Sequence, residues 1–324
     1  MYNAVADLTC PECARERLCF SGANGAGAAA GGIDVETATG SAGTKPTEID
    51  LWSNRRLIHP LSRRLAIAFS RTPITPNIVS CLGVVASIAA AVAYSLPIWP
   101  ISVAGGFACQ FAWHVLDGAD GELARRTGRS SPSGEVVDGV CDYLSQAAVY
   151  SALALMLSHS LGGWAWALAA LSGVARAVQA NSYESRRRIY QYWGYGGRWI
   201  RQTVANGDGA PKGWLGLFAR AYLSISDRVA RSRPELEEVL LAHFRQGPEE
   251  ETRARGLYRA AQIKVLRIAV PLSANARTIA IALSMLAGSP LYFFVYEIVG
   301  LTLLMLWTLQ VQARTDATVI RLLT

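Results

Sequence analysis

Residues 77–97 read NIVSCLGVVASIAAAVAYSLP, and this stretch contains no charged side chain. Its length is close to the roughly 20 apolar residues that cross a lipid bilayer as an α-helix. A membrane strand would instead show a shorter segment of alternating hydrophobicity bounded by turn residues. The stretch therefore predicts a membrane-spanning helix.

Five further apolar blocks follow along the chain, at approximately residues 98–117, 138–158, 161–181, 269–288 and 290–312. Charged residues make up only 17% of the sequence, whereas they are usually about a quarter of a soluble domain. We therefore predict an all-α polytopic membrane protein with six transmembrane helices. Helices 1–4 and the catalytic motif described below lie in residues 73–181, and helices 5 and 6 lie in residues 268–315.

The distribution of basic residues predicts the orientation. The links Ser95–Pro100, Ser158–Gly163 and Ala287–Leu291 contain no Lys or Arg, and nearly all basic residues fall in the other loops and the two ends. The positive-inside rule then places both termini and the basic loops on the cytoplasmic side. The same rule explains the net charge of +7, and no motif of a nucleic-acid-binding module is present. Membrane lipids are the expected partners, and nucleic acid is not.

The segments outside the predicted spans differ in composition. Residues 1–50 include a stretch rich in Gly, Ala, Ser and Thr and are predicted to be a disordered tail. Residues 51–72 alternate arginines with apolar residues, which predicts an amphipathic helix at the cytoplasmic interface. Residues 182–267 are a polar insertion, predicted to be cytoplasmic or interfacial, and 316–324 a C-terminal tail. Residues 1–50 also contain Cys10, Cys13 and Cys19, whose role is open. Three cysteines are fewer than the four ligands of a structural zinc site.

Four aspartates lie at the predicted cytoplasmic ends of helices 2 and 3. Asp117 and Asp120 are three residues apart and Asp138 and Asp142 four apart, so each pair shares one helix face. Carboxylates at membrane depth are unfavourable without a partner or a cation. Their oxygen ligands favour a hard cation, Mg²⁺, Mn²⁺ or Ca²⁺, over zinc; Mg²⁺ or Mn²⁺, as two ions, is the expected cofactor. Four carboxylates are enough for two ions, an arrangement that suits attack on phosphorus.

Small residues flank the aspartates. Gly121 and Ala124 fall one turn beyond Asp117 and Asp120, and Gly134 falls one turn before Asp138. Such residues leave space for a ligand or for a close helix contact. Ser131 followed by Pro132 predicts the start of the next helix, with the serine as N-cap and the proline at the first helical position.

This stretch resembles the signature of the CDP-alcohol phosphotransferase family, D-x2-D-G-x2-A-R-x8-G-x3-D-x3-D. All its fixed positions are matched in type and spacing, by Asp117, Asp120, Gly121, Ala124, Arg125, Gly134, Asp138 and Asp142. Together with the six-span plan, the resemblance extends over roughly Leu51–Thr315. It implies an enzyme that transfers a substituted phosphate from a CDP-alcohol to a hydroxyl group and releases CMP.

The resemblance also implies roles for the matched residues. Asp117, Asp120, Asp138 and Asp142 would bind the metal ions, and Asp142 would also take the proton from the acceptor hydroxyl as general base. A second group would bind the nucleotide: Asn77 (from a Thr-Pro-Asn entry to span 1), Gly121, Ala124, Arg125 and Gly134. For Arg125, an orienting positive charge in a cytoplasmic loop is an equally good interpretation.

Two arginines inside predicted spans are candidates for binding the acceptor. Arg176 lies in the cytoplasmic third of span 4, where family members that use a phosphorylated polyol carry basic residues. Arg277 lies about seven residues into span 5 and could face the same cavity. Snorkelling of either side chain to the membrane surface is the alternative. Glu297 in span 6 is expected to be a buried, hydrogen-bonded or protonated carboxyl rather than a catalytic group.

Several functions remain open from the sequence. The favoured hypothesis is transfer from CDP-diacylglycerol to a small polyol such as inositol, inositol phosphate or glycerol phosphate. The reverse assignment transfers a CDP-linked choline or ethanolamine to a lipid hydroxyl. A transporter would need polar residues along several spans, but the acidic cluster is confined to one end of two helices. A non-catalytic scaffold would give no reason for the presence of all four aspartates in this spacing. A homodimer is compatible with the small residues in spans 1 and 3.

Overall fold

The computed structural model describes residues 47–196 and 233–324, and within these ranges it contains helices and no strand. Ten α-helices follow one another: α1 His59–Phe69, α2 Pro76–Ser95, α3 Ile101–Thr127, α4 Pro132–Leu161, α5 Trp164–Tyr195, α6 Pro234–Phe244, α7 Pro248–Ile268, α8 Ala274–Leu286, α9 Leu291–Val295 and α10 Thr302–Leu323. Wide π-turns at Asn54–Ile58 and Tyr296–Leu301 precede α1 and α10. The all-α class is confirmed for this part of the chain.

Local sequence explains where the helices near the aspartates begin and end. Thr75 caps α2, because its side chain accepts a hydrogen bond from the Ile78 amide at 3.4 Å. α3 ends at Gly128, whose φ of 64° lies in the left-handed region that glycine adopts without strain. Ser131 caps α4 by accepting a hydrogen bond from the Gly134 amide at 3.1 Å, so the predicted helix start is confirmed.

Three helical segments among the described residues are long and apolar enough to cross a membrane: Pro76–Ser95, Val136–Leu161 and Leu291–Leu323. α8 is apolar but has only 13 residues. α3 and α5 are longer, but both carry charged residues in their C-terminal halves. Three of the six predicted spans thus have the required length and composition, and the total of six stays a prediction.

The apolar interior lies between these helices. α2 packs against α3 and α4, α4 packs against α5, and α8 packs against α3. Tyr94, Leu153 and Phe293 are at most 1% exposed in the main cluster, which also includes Val149, Leu157, Ile281 and Phe294. This packing holds the N-terminal end of α2 beside the ends of α3 and α4 that carry the aspartates.

The predicted amphipathic segment is helical and lies against α3. Ser62 and Ala66 are buried, and the Ser62 hydroxyl donates a hydrogen bond to the Val115 carbonyl at 2.8 Å. Arg63 and Arg64 are exposed on the opposite side. One face of α1 is therefore used for packing and the other is rich in cations.

The residues just before this helix, which the sequence assigns to a disordered tail, are partly packed. Ile49 is 7% exposed, and the Glu48 carboxylate accepts hydrogen bonds from the hydroxyls of Tyr190 and Tyr195. A short apolar and acidic segment before residue 50 thus has partners on α5. Cys10, Cys13 and Cys19 lie outside the described residues.

The described part of the insertion is also helical. α5 continues 14 residues past the predicted boundary at 181, since residues such as Glu184 and Arg188 favour helix as well as water. Leu236 and Leu240 of α6 are fully buried in a second cluster with Tyr258 of α7 and Val319 of α10. Removing one leucine side chain from water stabilises the packing by about 1.5–3 kcal/mol.

The same cluster extends α10 to Leu323, through most of the predicted C-terminal tail 316–324. Asp316 is 2% exposed and accepts a hydrogen bond from the Gln262 side-chain amide at 2.5 Å. Asp316 and Val319 of this segment both have partners on the described part of the insertion.

We predict that Gly106→Ala destabilises the bundle. A Cβ atom at this position of α3 would lie 2.5 Å from the ring of Tyr94, which is 1% exposed and cannot move aside. Overpacking of this kind costs about 1–3 kcal/mol. The unfolding temperature in detergent should fall for this variant. Gly173→Ala is the matched control, since a Cβ at Gly173 on α5 meets nothing within 4 Å. Equal stability of the two variants would contradict the described contact of α2 with α3.

Candidate active site

The candidate site lies where three helix ends meet: the beginning of α2, the end of α3 and the beginning of α4. All four predicted aspartates line one pocket between these ends. Its lining residues are Ser80, Gly83, Trp113, Asp117, Asp120, Asp138, Cys141 and Asp142. The short turn from Thr127 to Pro132 brings the two aspartate pairs together, as the sequence predicts for a site shared by helices 2 and 3.

Three of the carboxylates form a tight group. One oxygen atom from each of Asp117, Asp138 and Asp142 lies within 4.8 Å of the other two. The three side chains are half-buried. Asp117 and Asp142 are also within hydrogen-bonding distance of each other.

Asp120 is adjacent to this group but is held differently. Its Oδ2 atom accepts a hydrogen bond from the Ser80 hydroxyl at 2.6 Å, and its Oδ1 atom accepts one from the Gly121 amide at 2.5 Å. It is also within hydrogen-bonding distance of Asp138. The structure therefore joins all four aspartates into one acidic cluster with Ser80 as its orienting donor.

The donor set fits a divalent cation. Three carboxylate oxygens so close together repel one another unless protons or a cation offset their charge. Oxygen-only ligands suit Mg²⁺ and Mn²⁺. Asp117, Asp138 and Asp142 can hold one ion, and Asp120 stands next to them as a further ligand. Their arrangement can therefore support chemistry at a phosphate group.

The predicted nucleotide-binding residues surround the same helix ends. The Asn77 Oδ1 atom lies 3.7 Å from where a Cβ would stand on Gly134, which brings these two candidates together across α2 and α4. A Cβ on Gly121 would lie 3.5 Å from the Arg125 guanidinium. Ala124 is half-buried on the same stretch of α3. Gly121, Ala124 and Gly134 thus add no large side chain beside the aspartates.

Arg125 points to the surface. Its guanidinium lies 3.1 Å from the Glu122 carboxylate, and its side chain is 68% exposed. An exposed ion pair of this kind contributes little to stability, so Arg125 can exchange its partner for a phosphate at low cost.

The two candidate acceptor arginines differ in their surroundings. Arg176 is half-buried on α5, and its charge is near enough to Asp142 and to His114 to act on both. Arg277 is 1% exposed and forms a 2.8 Å ion pair with Glu297. The structure therefore brings Arg176, but not the buried guanidinium of Arg277, toward the acidic cluster. Glu297 is buried and hydrogen-bonded, as expected.

Sequence reasoning missed two polar residues of the region. Ser80 lies one helical turn after Pro76, so the predicted start of α2 could have placed it level with the aspartates. His114 lies one turn before Asp117, is 7% exposed and forms a 2.9 Å hydrogen bond with Thr278 of α8. No pattern in the sequence identifies that partner, because it is 164 residues away.

We predict that Ser80→Ala weakens metal binding while the fold is retained. The substitution removes the hydroxyl that orients Asp120. Loss of such an orienting partner typically lowers metal affinity by about 10–100-fold. Mn²⁺ affinity of the purified protein, measured by electron paramagnetic resonance, should fall accordingly. Ser87→Ala, a buried serine farther along α2, is the matched control. The described geometry would be wrong if both variants bound Mn²⁺ like the unmodified protein.

Comparison with known proteins gives a consistent result. Residues 73–203 match the family model described as CDP-alcohol phosphatidyltransferase. A phosphatidylinositol phosphate synthase of Mycobacterium tuberculosis (strain ATCC 25618 / H37Rv) is 35% identical over 99 residues, which are 30% of this chain and 42% of that protein. The enzyme of that name from Mycolicibacterium smegmatis is 38% identical over 94 residues, 29% of this chain and 40% of that protein. The similarity thus covers less than half of each relative.

The matched segment includes the whole acidic cluster, the predicted nucleotide-binding residues and Arg176. It is narrower than the range Leu51–Thr315 expected from the span pattern, and it leaves out Arg277 and α6–α10. The three long apolar helices among the described residues, two of them inside the matched segment, indicate a membrane protein. Residues 73–203 of the chain are therefore similar to the CDP-alcohol phosphatidyltransferase family.

Proposed function

We propose that the protein transfers a phosphatidyl group from CDP-diacylglycerol to a hydroxyl of a small polyol, with release of CMP, in phospholipid synthesis. The observation that carries this proposal is the convergence of Asp117, Asp138 and Asp142 within 4.8 Å, with Asp120 beside them, at the positions of the family signature. The relatives are named phosphatidylinositol phosphate synthases, which favours a polyol acceptor over a lipid acceptor with a CDP-linked choline or ethanolamine donor.

In this mechanism the four aspartates would hold two Mg²⁺ or Mn²⁺ ions. When bound, such ions supply positive charge that stabilises the phosphate oxygens and the departing CMP. Asp142 takes the proton of the acceptor hydroxyl, so that the hydroxyl oxygen forms a bond to the phosphorus next to the lipid. The bond between that phosphorus and the CMP oxygen breaks, and CMP leaves. Asp142 then returns the proton to solvent.

The donor nucleotide would lie along the beginning of α2 and the end of α3. Asn77 and Gly134 are close together at one side of this path, and Gly121 and Ala124 leave room at the other. Arg125 can contact a phosphate of the donor from the surface. The buried Trp113 also lines this pocket.

The acceptor would approach from α5. Arg176 is the cation whose charge acts on Asp142, so an acceptor phosphate bound to Arg176 would leave its hydroxyl near the base. A phosphorylated polyol therefore fits the site better than an uncharged one. Inositol phosphate and glycerol phosphate both have this chemistry.

The proposed arrangement in the membrane has six spans. α1 would lie at the cytoplasmic surface with Arg63 and Arg64 toward anionic head groups, an arrangement that its exposed cationic face supports. The aspartates, both termini and the insertion would be on the cytoplasmic side. A homodimer is compatible with this plan. Transport is not proposed, because the acidic cluster lies at one end of α3 and α4 rather than along a path.

We predict that Asp142→Asn abolishes turnover but preserves donor binding. Removing a general base typically lowers the rate by about 10²–10⁴-fold. Release of labelled CMP from CDP-diacylglycerol in detergent, with Mg²⁺ or Mn²⁺ and a polyol phosphate, measures turnover; equilibrium binding of the labelled lipid measures affinity. Glu250→Gln, which changes an exposed acid on α7, is the control and should remain active. Equal losses of turnover and of donor binding in Asp142→Asn would refute the role of Asp142 as base. If the unmodified protein released no CMP with any acceptor, the proposed transferase activity would be refuted.

We predict that Arg176→Gln raises the KM for a polyol phosphate more than it lowers kcat. A hydrogen bond to a charged group contributes about 1.5–3 kcal/mol, which corresponds to about 10–100-fold in KM. The KM for the unphosphorylated polyol should not change in the same way. Arg188→Gln on the same helix is the control, because Arg188 pairs with Glu184 at the surface. An unchanged KM in Arg176→Gln would show that the acceptor phosphate binds elsewhere.

A further inference from the structure

A buried polar network lies beside Arg176 and takes no part in the mechanism above. Its centre is the Glu297 carboxylate, which is fully buried in the π-turn before α10. This carboxylate accepts hydrogen bonds from the Tyr150 hydroxyl at 2.5 Å, from the Arg277 Nε atom at 2.8 Å and from the Ser172 hydroxyl. One side chain thus connects α4, α5 and α8.

Arg277 is fixed by the same network. Besides Glu297, its guanidinium donates to the Gln179 side-chain oxygen at 2.8 Å and to the Leu272 carbonyl. Gln179 in turn donates to the Glu297 backbone carbonyl at 3.0 Å. With 1% exposure and three protein acceptors, the Arg277 guanidinium is not available to a ligand. Its function must therefore be exerted through its neighbours.

The network is hydrogen-bonded to the face of α5 that carries Arg176. Ser172, Arg176 and Gln179 are four and three residues apart, so they lie on one side of the helix. Both residues that flank Arg176 on this face are hydrogen-bonded to Glu297, one to its carboxylate and one to its backbone. Glu297 thereby fixes the rotation of α5 about its axis, and its position along that axis, at Arg176.

The charges of the network also indicate that Glu297 affects Arg176. Arg277 and Arg176 are near enough for their positive charges to repel. The Glu297 carboxylate offsets the charge of Arg277, and this allows the second guanidinium to remain close by. Of these two cations, Arg176 is then the one whose charge is presented to a ligand.

We propose that Glu297 is a positioning residue for acceptor recognition: it holds Arg277 and the Ser172–Gln179 face of α5 so that Arg176 meets the acceptor phosphate. This inference rests on the proposed function, because the acceptor phosphate is the ligand assigned to Arg176. It assigns no contact between Glu297 and any substrate. Acceptor affinity, rather than donor binding or the chemical step, is the quantity that Glu297 should control.

Two variants test the network at different points. Glu297→Gln keeps the shape but removes the charge, and it should raise the KM for a polyol phosphate by about tenfold. Ser172→Ala removes one hydrogen bond and leaves the ion pair, so its KM should rise by a smaller factor of about 2–5. In both, equilibrium binding of labelled CDP-diacylglycerol should stay unchanged. Ser284→Ala, a buried and hydrogen-bonded serine at the other end of α8, is the matched control.

A third variant separates positioning from stability. If Glu297→Gln does not fold, the double variant Arg277→Gln/Glu297→Gln removes both charges and should recover the unfolding temperature. Positioning predicts that the raised acceptor KM persists in the folded double variant and in Ser172→Ala. Normal acceptor KM values in both would overturn the inference. The proposed function itself fails only if the unmodified protein releases no CMP with any acceptor, a result that is independent of these variants.

Discussion

Electrostatic repulsion within the acidic cluster is the constraint on which the rest of the site depends. Three carboxylate oxygens within 4.8 Å of one another are unfavourable in a half-buried pocket unless a cation binds between them. The fold supplies the opposing force by packing α2 against both α3 and α4, and by orienting Asp120 with Ser80. A divalent cation between these oxygens would relieve the repulsion, and the proposed phosphate chemistry depends on such a cation.

The residues around the acidic cluster differ in their burial and in their partners. Small residues and Asn77 line the approach at the helix ends, where a nucleotide would need room. Arg176 lies deeper, on α5, where its charge acts on Asp142. Farther in, Arg277 and Glu297 form an ion pair with almost no exposure, which is tolerated because each partner is also hydrogen-bonded to neighbouring helices. The charges of Arg277 and Glu297 are thus paired in the interior of the helix bundle.

Local features of this structure could be predicted from the sequence, but long-range pairings could not. The spacing of three and four residues placed each aspartate pair on one face, and Ser131 with Pro132 marked the start of α4. By contrast, Ser80 and Asp120 are 40 residues apart and Gln179 and Arg277 are 98 apart, so nothing in either local pattern identifies the partner. The predicted boundaries at residues 50, 181 and 316 were drawn from polarity. Polarity does not show that Ile49, Ile189 and Val319, which lie in the segments beyond these boundaries, pack in one cluster with Tyr190 and Tyr258.

The turn between Gly128 and Ser131 has a consequence for how the site assembles during folding. Because the turn is short, the two aspartate-bearing helix ends are close neighbours in the chain, and bringing them together loses little conformational entropy. Since α2 packs against both α3 and α4, Asp117, Asp138 and Asp142 can approach one another once these three helices have packed, before the C-terminal helices are added. A divalent cation bound at that stage would favour the packed arrangement of the three helices.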